Sequence, residues 1–176
     1  RKRRSVGRHR MPMEYPWYEA VSSSTDLQQG DILEVVIFKV EEDSEKAEPQ
    51  VYDGIVMTQT CDIVDRCPAI VFCPVWTEDQ LVEAEPRFKT DGRIGQLKKR
   101  QMTGYYPISK CNIEGFEHPW RIVQFQRILE LETTTVFDSL AKQQPRLRLL
   151  PPYREALAQD FARFFMRVGL PVNLET

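Results

Sequence analysis

A chain of 176 residues with 41% hydrophobic and 10% aromatic side chains can bury one real core, and two full domains would be cramped. No run approaches the ~20 uninterrupted apolar residues of a membrane-spanning helix, and no apolar segment follows the basic N-terminus to make a secretory signal, so a soluble cytoplasmic protein with reduced thiols is expected. The formal charge of −2 hides an asymmetry: residues 1–10 (RKRRSVGRHR) hold six of the 24 Lys and Arg and no acid, leaving 18 basic against 26 acidic side chains elsewhere, a balance of −8.

Residues 1–13 read as a disordered basic leader, with a phosphate-holding nucleic-acid tether as the alternative, and residues 14–176 as a single domain. MPMEYPWYEAV mixes aromatics with two prolines and predicts an irregular segment whose Tyr15, Trp17 and Tyr18 cover one edge of the core. GDILEVVIFKV predicts a strand over 30–40, with Gly30 and Asp31 in its entry turn, Ile32, Val36, Phe38 and Val40 on one face, and Val35 and Ile37 on the other. EEDSEKAEPQ (41–50) is too polar to bury and predicts a loop. VYDGIVMTQ and AIVFCPVW predict strands, joined from Thr58 to Pro68 by a wide hairpin connection.

Thr77-Glu78-Asp79-Gln80 has the capping-box pattern and predicts a short helix to about Ala84, stopped by Pro86. RIGQLKKRQM (93–102) predicts another. GYYPI (104–108), WRIVQF (120–125) and RILEL (127–131) predict strands, with 146–150 a short further one and 114–119 a turn. Pro151 and Pro152 open a helix over 152–168 that Gly169 and Pro171 close, with Tyr153, Ala156, Leu157, Phe161, Phe164, Phe165 and Val168 at helical spacing.

The chemistry-bearing residues cluster in TQTCDIVD. Cys61-Asp62 is a poor thiol catalyst, because a neighbouring carboxylate opposes thiolate formation, and of the two histidines one, His9, is in the leader and the other, His118, precedes Pro119 in a turn. Cys61, Cys67, Cys111 and His118, with Cys73 as a further thiol, could hold zinc, although their spacing is wider than structural sites favour. Asp62 and Asp65 could gather a divalent cation with Asp53 or Asp31, or else cap turns. Lys98, Lys99 and Arg100, close to Tyr105 and Tyr106, have the mixture of a single-strand-binding face; a solvated helix face is the alternative. There is no phosphate loop, dinucleotide-binding glycine pattern or serine-hydrolase elbow, and no cofactor is expected.

GDI opening a strand, then IVMTQTCDIVDRCPAIVFCPVWT, more strands and a terminal helix, resembles the MazF/PemK toxins over residues 29–77. The resemblance implies a mainly β fold with α elements, a small SH3-like barrel with inserted short helices and a C-terminal amphipathic helix. In that family the barrel cleaves single-stranded RNA without metal, usually as a homodimer neutralised by an antitoxin. The family's arginine before the second strand falls at Val51-Tyr52-Asp53-Gly54, its catalytic threonine falls at Trp76, and Thr77 is one place late, which turns a strand side chain to the opposite face. The resemblance therefore implies a module that has lost the ribonuclease site and acts through a protein partner, in a bacterial toxin–antitoxin or antiviral defence setting. Gln59, Cys61, Asp62, Asp65, Lys98, Lys99 and Arg100 are its expected binding residues, with RNA possible through Lys98 to Arg100. Two alternatives stay open: an RNA endonuclease using Thr58 and Thr77, and a redox or zinc switch at Cys61.

Overall fold

Alternating apolar side chains build the centre of the fold, seen in a computed structural model that describes residues 15–40, 47–140 and 145–166. Strands β1 (Tyr18–Val21), β2 (Asp31–Val40), β3 (Ala47–Val56), β4 (Ala69–Thr77), β5 (Tyr105–Ile108), β6 (Arg121–Gln124), β7 (Leu129–Glu132) and β8 (Arg146–Leu149) form one antiparallel sheet. Their order is β1-β8-β2-β3-β4-β6-β5, and β7 pairs with the first half of β4 while β6 pairs with its second half. Helices α1 (Thr60–Val64), α2 (Glu78–Ala84), α3 (Asp91–Lys98), α4 (Thr133–Leu140) and α5 (Tyr153–Phe165) complete the elements, with a 3-10 turn at Pro86–Phe88. Among the described residues the architecture is an open eight-stranded antiparallel sheet with five helices. No helix among them is long and apolar enough to cross a membrane.

Both faces of the sheet are covered, which is why AIVFCPVW reads as a nearly continuous apolar run. On one face Ile32, Ile55, Cys73, Val75, Tyr106 and Val123 meet α5 through Leu157, Phe161 and Phe164. The other face is divided. Leu33, Val35, Val56 and Phe72 pack with Ile63 of α1 and Val136 of α4. Trp76, Tyr105 and Ile122 pack with Leu81 of α2 and with Ile94 and Leu97 of α3. Gly54 allows β2 and β3 to close over Phe72, since a Cβ there would lie 2.8 Å from Val35 Cγ2.

Several expectations are revised. Residues 18–21, expected to be irregular, are β1, whose partner β8 lies far along the chain. Residues 47–50 of the expected loop belong to β3; residues 41–46 lie outside the described residues. Pro49 is tolerated because β4 reaches only Asp53–Val56, so around Pro49 β3 pairs with β2 alone and its other edge needs no donor. Val36, expected on the same face as Ile32, is 45% exposed, since β4 does not extend to this part of the sheet. The side chains of Ile37, Phe38 and Val40 lie outside the described residues. The 58–68 connection contains α1, residues 133–140 form the unexpected α4, and the helix expected over 93–102 runs instead from Asp91 to Lys98. The helix expected over 152–168 is described from Tyr153 to Phe165. Val168, Gly169 and Pro171, like the leader at 1–13, lie outside the described residues.

Candidate functional site

The polar side chains of TQTCDIVD divide, residue by residue, into groups that hold the turn and groups that face water. Thr58 Oγ1 accepts from the Val71 amide at 2.7 Å and Thr60 Oγ1 from the Gln29 amide at 3.2 Å, while Gln29 Nε2 donates to the Met57 carbonyl at 2.8 Å. These side chains continue the strand bonding past the end of β3, so the turn is rigid. Gln59, Cys61, Asp62 and Asp65 face outward, the Cys61 thiol lying 3.7 Å from Gln59 Oε1 and 3.6 Å from Asp62 Oδ1. Two clefts of about 690 and 660 Å³ flank α1 and share Cys67. Around them stand Val64, Ile128, Phe137 and Phe165, all at least 42% exposed.

The zinc expectation does not gather its ligands. All four cysteines are free thiols, and among the described residues no three His, Cys, Asp or Glu side chains converge on a metal position. Cys111 and His118 are cross-strand neighbours, joined by backbone bonds of 3.0 and 3.2 Å, but Cys61 and Cys67 belong to the α1 region. Cys67 spends its thiol on the Ala69 carbonyl at 3.2 Å, and burial pushes the Cys73 thiol up to about 12. Asp31 is unavailable to a cation as well. Fully buried, it accepts from Arg146 Nε at 2.7 Å, Arg148 Nε at 2.5 Å and the Gln28 amide at 3.1 Å, and the two arginines go on to bind the Asp26 carbonyl. The aspartate of GDI is thus a clamp between β2, β8 and the 22–28 segment, and its hydrogen bonds raise the Arg148 pKa.

A different acid–base cluster forms where β3, β4 and β6 run side by side. Thr77 of β4 stands opposite Arg121 of β6, and Asp53 of β3 stands opposite both Val75 and, on β2, Glu34. Directly paired residues share a face, so Asp53, Thr77 and Arg121 project to the same side of the sheet. Arg121 Nη1 donates to Asp53 Oδ2 at 2.7 Å; the arginine side chain is 7% exposed and the carboxylate 49%. The guanidinium therefore lies under the carboxylate. Burial lowers the Arg121 pKa, opposed by Asp53. A cleft of about 540 Å³ opens here, lined also by Glu34, Phe116, His118 and Leu147.

His118 completes the cluster, its ring edge-on to Tyr18 with centroids 5.5 Å apart. Its Nδ1 lies 2.6 Å from the Pro119 carbonyl, which can only accept, so Nδ1 carries the proton and Nε2 the lone pair. Burial lowers the His118 pKa and raises that of Tyr18, whose hydroxyl donates to the Ser109 carbonyl at 2.7 Å. His118 Nε2 and Arg121 Nε are both buried without a protein partner.

Thr77 itself caps α2: its Oγ1 accepts from the Gln80 amide at 3.2 Å and its own amide donates to Gln80 Oε1 at 2.9 Å, the predicted capping box. Asp53 stands at this end as the sequence has it, but an arginine also arrives opposite Thr77 from β6, a strand the 29–77 resemblance does not cover. Only the apolar pattern of WRIVQF hinted that its leading arginine would be buried. The Lys98–Arg100 patch is also revised. Tyr105 and Tyr106 are 5% and 1% exposed, and the Tyr105 hydroxyl is engaged by Glu85 and Arg87, so neither ring offers an open face.

The chain matches no protein-family model, no curated protein and no solved structure.

Proposed function

We propose that this protein is a binding module related to the MazF-type small barrel, without a working RNA-cutting centre, that acts through a protein partner. A toxin–antitoxin or antiviral defence circuit is the setting this reading implies. The observation that carries it is the Asp53–Arg121 pair, 2.7 Å apart with the carboxylate outermost. Metal-independent cleavage of RNA needs a cation free to stabilise the phosphate as charge develops. A phosphate approaching this cleft meets the half-exposed Asp53 first, and Arg121 beneath is already neutralised. In this reading the exposed apolar side chains of the two clefts that flank α1 supply the partner surface.

One observation favours the ribonuclease reading, the register that sets Thr77 against Arg121. That reading requires the ion pair to open when substrate binds. Incubation with single-stranded RNA followed by gel analysis decides between them: no cleavage is expected, and cleavage that disappears in Thr77→Ala or Arg121→Met would overturn the proposal. For the partner, copurification from the native host with the parent and with Val64→Asp/Phe137→Asp should recover a protein that the variant loses; a partner retained equally by both would remove the α1 surface from the reading.

A further inference from the structure

Residues 86–110 carry seven Lys and Arg and one acid, a balance of +6 in a chain whose total is −2. α3 ends within this segment at Lys98, and Lys98, Lys99 and Arg100 are all exposed, Arg100 with a left-handed φ of 55°. Beside them lies a shallow cleft of about 380 Å³ lined by Trp17, Pro107, Ser109 and Trp120, with Lys98 and Arg100 in its wall. It shares no lining residue with the Asp53–Arg121 cleft.

Surface cations alone make a solvated face; the two half-buried indoles in the same cleft set this one apart. Each is held in place. Trp17 stacks on Tyr153 with centroids 3.6 Å apart and an interplanar angle of 7°, and Trp120 Nε1 donates to Glu78 Oε2 at 3.1 Å. Prefixed aromatic faces beside exposed cations suit unstacked bases joined by phosphates, whereas an acidic peptide would use the cations and leave the indoles idle. A duplex offers no free base. We propose that this face binds single-stranded nucleic acid, RNA or DNA, with bases against Trp17 and Trp120 and phosphates on Lys98, Lys99 and Arg100. Lys98 Nζ now lies 4.7 Å from the Trp120 ring centroid and 3.6 Å from Glu78, with its side chain 52% exposed; moving to a phosphate uncovers the indole.

The test is fluorescence anisotropy of the full chain with labelled oligo(U) and oligo(dT) of about 12 nucleotides, across a salt series. Three phosphate contacts predict a log–log salt slope near −2, and the Lys98→Ala/Lys99→Ala/Arg100→Ala variant should lose most of that slope. Trp120→Leu should weaken binding about tenfold with the slope unchanged. Quenching of the tryptophan fluorescence of the unaltered protein by the strand gives a readout that does not depend on a variant folding. Binding that survives the triple variant would place the contact on the basic residues 1–10 and overturn the proposal. So would equal binding of a duplex, displacement by poly-L-glutamate without indole quenching, or no binding at about 50 mM salt.

Discussion

Replacing Asp53 by Asn removes the charge beneath which Arg121 is buried and leaves the shape of the site almost unchanged. Breaking a fully buried ion pair from one side costs about 3–5 kcal/mol, because the remaining charge stays desolvated. Asp53 is 49% exposed, so water entering at its position recovers part of that cost, and the loss falls to ~2 kcal/mol, within the range of a single hydrogen bond to a charged group. For a chain of this size that lowers Tm by about 4–8 °C. The reverse change is not symmetric. Arg121→Met removes the desolvated cation and its unpartnered Nε, and leaves an aspartate that water already reaches, so its cost should stay below ~1 kcal/mol. The double variant should match Arg121→Met rather than the sum of the two. Thermal and urea unfolding of all four proteins measures this cycle. If Arg121→Met costs as much as Asp53→Asn, then the arginine is not a buried charge dependent on Asp53, and the account of a neutralised cation fails.

Further outcomes follow from the packing. Asp31→Asn should leave Arg146 and Arg148 both buried beside a neutral group and cost more than Asp53→Asn, read as loss of soluble, cooperatively melting protein. Gly54→Ala should destabilise by about 1–3 kcal/mol in a urea titration, since the new methyl meets Val35 at 2.8 Å. Because burial depresses the His118 pKa, the folded state takes up its proton at lower pH than the unfolded chain. The His118 contribution is therefore intact above about pH 6.5 and is lost as pH falls below it; His118→Asn should flatten that part of a Tm-against-pH curve. In thiol labelling of the native protein Cys61 should react first and Cys73 and Cys111 only on unfolding, which follows from their exposure and is checked by peptide mass mapping.

Local signals were legible wherever the side chain that makes them acts on its own neighbourhood. The capping box at Thr77 and Gln80, the break at Pro86 and the phenylalanine spacing of α5 each need contacts within one or two turns of helix, so residue order suffices. β1 and α4 escaped notice for the opposite reason. Tyr18–Val21 is a strand because Arg146–Leu149 lies beside it, and Thr133–Leu140, rich in β-branched residues, is helical with Val136 buried among Leu33, Ile63 and Phe72.

Sequence by itself determined which segments could be buried, that a capped helix would follow Thr77 and stop before Pro86, and that Gly30 would sit in a turn ahead of a strand, because periodicity and capping are read from neighbours. Only tertiary structure decided that Asp53 would sit over Arg121, that Thr77 would face it, and that two tryptophans separated by a hundred residues would line one cleft beside Lys98. Charge pairing and stacking depend on distance in space, and the sheet order that sets those distances is fixed by long-range burial on both faces, which no local pattern encodes.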